Sequence, residues 1–122
     1  ERFSEHWLAT QRAMFGDSVN LTDDYGLWWS YIPHFIGTPG YVYAYAFGEL
    51  LVLALYARYQ EVGPGFADAY IGMLSKGGSD WPHAIVEPLG VNLKDPAFWH
   101  GGLNILEEMV ADAERLADAI AN

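Results

Sequence analysis

The stretch from Tyr31 to Arg58, YIPHFIGTPGYVYAYAFGELLVLALYAR, constrains the chain more than any other. Its second half opens the longest apolar run, Tyr41 to Tyr59, and such a run is either a membrane span or a helix covered by other protein. A span takes about 20 predominantly apolar residues. Tyr41 to Ala57 is shorter, carries Glu49 near its middle, and follows Pro39-Gly40. Its tyrosines are spread along it, where a span would gather them at two interfaces. A helix that is apolar on all sides belongs in the middle of a bundle. The run is therefore read as one long buried helix over about 41–61, closed by Gly63-Pro64-Gly65.

The rest of the chain also reads as helix. Phe3, Trp7, Leu8, Ala13, Met14 and Phe15 fit an amphipathic helix from Glu1 to Phe15, with Gly16 as its stop. A polar loop follows, in which Thr22 or Asp23 can cap the next helix. Tyr25 to Ile32 is a short aromatic helix that Pro33 ends, because proline pushes the preceding residue out of the α region. Phe35 to Gly40 is a loop by its glycine and proline content. Phe66 to Leu74 is a short amphipathic helix, and Trp81 to Leu89 one or two helical turns, with Asp80 as cap, Pro82 as first helical residue and Gly90 as stop. Asp95-Pro96 repeats the cap-plus-proline signal and opens a last helix. Leu103, Leu106, Met109, Val110, Ala113, Leu116, Ala117 and Ile120 form its apolar stripe. No repeat appears, and the one alternation of period two, Tyr41 to Ala46, continues into GELLVLALYARY, which favours helix. The predicted class is all-α, an irregular helical bundle around the long helix, in a single domain over 1–122.

Composition narrows the function. Hydrophobic residues make up 52% and aromatic residues 16%, which argues against disorder. The net charge of −10, with only six Lys and Arg, disfavours nucleic acid and anionic membrane surfaces. With no cysteine there are no disulfides, thiolate metal sites or cysteine nucleophiles. That composition fits a cytoplasmic setting. No signal-peptide pattern opens the chain; it starts without Met and in mid-helix, as a piece of something longer would.

Few motifs carry chemistry. The histidines His6, His34, His83 and His100 form no HExxH pair and no pair at i,i+3 or i,i+4. There is no GxGxxG, GxxxxGK[ST] or GxSxG. Glu107, Glu108, Asp112 and Glu114 read as the solvated face of a helix. The informative group is His34 with Tyr41, Tyr43 and Tyr45. On one helix Tyr41 and Tyr45 would share a face, with Tyr43 turned about 200° away. A histidine and two phenols can donate hydrogen bonds to a peptide carbonyl or a developing oxyanion. Aromatic packing in a core is the competing use of the same residues.

DDYGLWWSYIPHF followed by TPGYVYAYAFGELLVLALYARYQ, then Gly77-Gly78-Ser79, Pro88-Leu89-Gly90 and DPAFWHGGLNILEEMV, resembles the C-terminal region of oligoendopeptidase F-type zinc peptidases, in the thimet oligopeptidase family. The likeness covers nearly the whole chain. It implies a part of a mostly helical, two-lobed, zincin-like fold around a deep channel. In that family zinc is held by the histidines of HExxH and a later glutamate, and the substrate is a short peptide. The resemblance further implies that His34 is the histidine that follows the zinc helices, that Tyr41 and Tyr45, after a glycine-containing loop, contact the substrate carbonyl, and that all three serve substrate binding. Tyr43 is the alternative if the loop aligns without a gap. Relatives often carry a bulkier polar residue at the position of Gly37, which implies a looser loop here.

One departure governs what these residues can do. The chain has neither HExxH nor a third zinc ligand, so no metal is expected on it and it is expected to be inactive alone. Two readings follow. One is a C-terminal, substrate-binding portion of a zinc oligoendopeptidase. The other is a stand-alone, non-catalytic helical module that binds a protein partner or itself. A severed portion would expose apolar surface, and a homodimer through that surface is expected.

Overall fold

A computed structural model describes residues 2–121, and every regular element among them is helical. The all-α expectation holds. The elements are α1 (Arg2–Phe15), a 3₁₀ helix (Asp23–Tyr31), α2 (His34–Gly37), α3 (Ala44–Val62), α4 (Phe66–Ser75), α5 (Pro82–Val86) with a 3₁₀ turn directly after it (Glu87–Leu89), and α6 (Pro96–Ala121). Glu1, which the sequence assigns to the first helix, lies outside the described residues. Two compact units make up the chain, one ending at Ala44 and the other beginning at Tyr45.

In the first unit α1 packs on the 3₁₀ helix. Gly26 is buried against α1, and a Cβ built there would lie 3.2 Å from Leu8 Cδ1. On either side of that contact Tyr25 and Trp29 reach α1. The Tyr25 ring meets Trp7 at 5.9 Å, and its hydroxyl donates to Gln11 Oε1 at 3.1 Å. The Trp29 ring meets Phe3 at 5.1 Å.

The segment expected as a short helix over 25–32 begins two residues earlier and is wound as a 3₁₀ helix. Its aromatic spacing accounts for the tighter winding. Side chains at i and i+3 eclipse in a 3₁₀ helix, and here they form a ring ladder, Tyr25 to Trp28 at 5.3 Å and Trp28 to Tyr31 at 6.2 Å. Thr22 holds the N-cap position in extended conformation but makes no side-chain cap bond. Ile32 is extended before Pro33, as the proline requires.

In the second unit the core is Leu55, Phe66, Val86, Leu89 and Val91. α4 contributes Phe66, Ala69, Tyr70 and Met73, a run of threes and fours that puts one face on that core. Gly63 (φ 86) turns the chain out of α3, and Gly90 (φ 68) turns it out of the 3₁₀ turn. Both conformations suit glycine. Pro82 starts α5 as expected. The cap position itself is Trp81, whose N–H donates to Asp80 Oδ1 at 2.7 Å. At the start of α6 Asp95 Oδ1 accepts the Ala97 N–H at 2.9 Å, which is the expected cap.

α6 crosses α3 at two glycines. A Cβ on Gly102 would sit 2.8 Å from Ala54 N and 3.0 Å from Leu50 O; one on Gly101 would sit 3.3 Å from Ala57 Cβ. The crossing is backbone on backbone, and only glycine allows it at position 102.

The long helix departs from expectation in two ways. It starts at Ala44, because Tyr41 to Tyr43 belong to turns, with Tyr41 N–H donating to Thr38 O and Ala44 N–H to Tyr41 O. It is also not buried all round. Ala54 and Leu55 are its buried residues, while Tyr45, Val52, Tyr56 and Tyr59 are exposed. Within the second unit the other helices cover one stripe of α3, around Ala54 and Leu55. No helix among the described residues is long and apolar enough to cross a membrane.

Candidate substrate-binding site

α2 positions His34. Pro33 precedes it in helical conformation, and Gly37 N–H donates to Pro33 O at 2.8 Å, closing a single turn of helix. The expected loop over 35–40 is therefore shorter, since Phe35 to Gly37 complete that turn. Phe35 ties α2 to the rest of the first unit through an edge contact with Trp7 at 6.2 Å. The chain then reverses at Thr38 to Tyr41, with Gly40 at φ 81.

That reversal brings Tyr41 back onto His34. The two rings meet edge to face, 5.3 Å apart at 73°, and His34 meets Phe35 at 5.7 Å and 88°. His34 is half-buried and Tyr41 is 43% exposed, so the pair is open to solvent on one side. An imidazole N–H and a phenol O–H are both donors of the kind a peptide carbonyl accepts.

Tyr43 and Tyr45 are exposed as well, at 67% and 65%. Tyr45 lies in the first turn of α3, whereas Tyr41 and Tyr43 precede the helix. The shared helical face expected of Tyr41 and Tyr45 is thus not formed. Of the candidate residues, the turn unites His34 with Tyr41.

One feature went unread in the sequence. Tyr56 and Tyr59 on α3 face Phe66 and Tyr70 on α4 across a groove of about 270 Å³. Their rings run in series, Tyr56 to Tyr59 at 6.2 Å, Tyr59 to Phe66 at 6.5 Å and Phe66 to Tyr70 at 6.4 Å. The spacings 56/59 and 66/70 on either side of Gly63-Pro64-Gly65 were the available signal.

The donor set does not fit a zinc centre. Among the described residues no three His, Asp or Glu gather into a group that could hold a metal. His6, His83 and His100 are each exposed and on separate helices.

Oligopeptidase PepF of Bacillus subtilis (strain 168) is 33% identical to this chain over 102 residues, which is 84% of the chain. Over most of its length the chain is homologous to the oligoendopeptidase F proteins. The oligoendopeptidase F homolog of Borreliella burgdorferi matches 95% of the chain at 28% identity, and group B oligopeptidase PepB of Streptococcus agalactiae 72% at 30%. The chain spans 15%, 20% and 14% of the lengths of these three relatives. No family model and no solved structure matches it.

Proposed function

We propose that this chain is the C-terminal, substrate-binding portion of a zinc metallo-oligoendopeptidase that hydrolyses short peptides. The observation that carries the reading is the His34–Tyr41 pair, half-open to solvent and held by a turn, within a chain related to PepF over 84% of its length. In this role His34 and Tyr41 donate hydrogen bonds to the carbonyl of a bound peptide, and Tyr45, in the first turn of α3, is a further candidate contact. Donors of this kind strengthen as the carbonyl oxygen gains negative charge, so they favour the tetrahedral state over the bound substrate. Tyr43 is the alternative to the Tyr41 and Tyr45 pair.

No hydrolytic step is assigned to these residues, since among the described ones no three His, Asp or Glu gather into a group that could hold a metal. Zinc belongs to the rest of such an enzyme, and the chain is expected to be inactive alone. The check is an assay of the purified chain with added Zn²⁺ and a quenched fluorogenic oligopeptide. No chelator-sensitive turnover is expected; turnover that a chelator abolishes would overturn the reading. The cysteine-free composition supports a cytoplasmic assignment, and the charge of −10 one without nucleic-acid partners.

A second reading has its own support. Val52 on α3 and Leu116 and Ile120 on α6 are all more than half exposed. Exposed apolar surface of this kind marks interaction sites, and it favours a stand-alone helical module that forms a two-fold homodimer or takes a protein partner. The coding DNA separates the two: an in-frame HExxH upstream favours the peptidase portion, and a start codon directly before the first residue favours the module.

A further inference from the structure

α2, the element that carries His34, cannot hold its own shape. It is a single turn, His34–Gly37, with no side-chain cap bond, and isolated helices shorter than about 12–15 residues are marginal in water. His34 and Phe35 are its half-buried residues, while Ile36 and Gly37 are exposed. Phe35 is thus the side chain that fastens the turn, and it does so on Trp7 of α1, edge to face at 6.2 Å and 70°. Trp7 is held in turn by Tyr25 at 5.9 Å. Its Nε1 is shielded from solvent and meets no acceptor among the described residues, so ring packing rather than a hydrogen bond fixes the indole.

A series of rings therefore runs from α1 to the candidate site, from Trp7 to Phe35, His34 and Tyr41, and all of it lies in the first unit. Its contacts are steeply inclined, at 70°, 88° and 73°. A ring presents a positive edge and a negative face, so an edge contact fixes the relative planes as well as the distance. The plane of the imidazole matters because a hydrogen bond prefers an angle above about 150° and weakens steeply below about 120°. A rotation of roughly 30° takes the His34 N–H off a carbonyl while the turn stays folded. We propose that Trp7 and Phe35 are positioning residues of the peptide-binding pair, acting through His34 by setting the plane of its ring against Tyr41. This inference rests on the substrate-binding reading of His34 and deepens it by giving α1 a part in the site.

Tyr31 supplies the contrast. It stands three residues before His34, yet its ring meets Trp28 at 6.2 Å and is 82% exposed. Nearness in the chain alone would give Tyr31 more influence on His34 than Trp7; the series of rings gives it less.

NMR of the intact chain tests the proposal. Titration with acetylated, amidated penta-alanine reads affinity, and nuclear Overhauser contacts between the His34 and Tyr41 rings read their geometry without peptide. Phe35→Leu and Trp7→Leu are each expected to weaken those ring contacts and to lower affinity roughly two- to tenfold, the span of one aromatic pair. Phe35→Tyr and Trp7→Phe, which keep a ring edge in place, are expected to preserve both, and Tyr31→Leu to change neither. Circular dichroism confirms helix content in each variant. A residue that only stabilises the fold weakens binding whether or not His34 is present. Action through His34 predicts instead that Phe35→Leu costs nothing further in a His34→Ala background. An equal loss in both backgrounds, or unchanged ring contacts and affinity in Phe35→Leu, overturns the positioning role. A wild-type chain whose His34 and Tyr41 signals do not respond to millimolar peptide overturns the substrate-binding reading on which that role rests.

Discussion

At the scale of single residues, two glycines with the same apparent role differ in what surrounds them. A Cβ on Gly102 would meet backbone of α3 at 2.8 and 3.0 Å, and backbone cannot move without shifting the helix. A Cβ on Gly26 would meet the end of the Leu8 side chain at 3.2 Å, which a small rotamer change relieves. Gly102→Ala is therefore expected to cost about 1–3 kcal/mol, the range for overpacking, and Gly26→Ala less than about 1 kcal/mol on the same scale. Urea unfolding of the two variants checks the order. For the candidate site, Tyr41→Phe keeps the ring against His34 and removes one donor. A hydrogen bond is worth about 0.5–1.5 kcal/mol net, so affinity for a short peptide should fall roughly two- to tenfold, as a fluorescence titration would read.

At this scale the chemistry of single residues was legible in the sequence, and their geometry was not. His34 and Tyr41 stood out because a histidine and phenols near a glycine-rich turn make a donor set, and the turn does join them. Tyr41 and Tyr45 would share a helical face only with a helix already formed at residue 41. The turns through Tyr41 and Ala44 delay it to residue 44.

At the scale of elements, the signals that end helices were legible because each acts within a few residues. Asp95-Pro96, Gly63 and Gly90 each did what its chemistry demands. Asp95→Ala removes the acceptor for the Ala97 N–H and is expected to cost about 1 kcal/mol, with a range of about 0.5–2 for lost caps. Thermal unfolding followed at 222 nm would show it. The choice between α and 3₁₀ over Asp23–Tyr31 was not legible in the same way. It rests on a ladder of rings three residues apart, and hydrophobic periodicity does not distinguish that ladder from an ordinary helical face. Burial of α3 was likewise out of reach. An apolar run shows that a helix can be covered on all sides, but not how much covering its own chain supplies.

At the scale of the whole molecule, α3 and α6 each keep large apolar side chains exposed, Val52 and Tyr56 on one and Leu116 and Ile120 on the other. The central claim is that this chain holds residues that grip a peptide without those that carry a metal. The most direct measurement is an NMR titration of the labelled chain with a short, non-hydrolysable peptide, following the His34 ring and the tyrosine side chains. The expected result is saturable shifts at His34 and Tyr41, with Tyr45 responding alongside them, and weaker binding in Tyr41→Phe. No shift at His34 or Tyr41 at millimolar peptide, or shifts confined to the groove between Tyr56 and Tyr70, would contradict the claim.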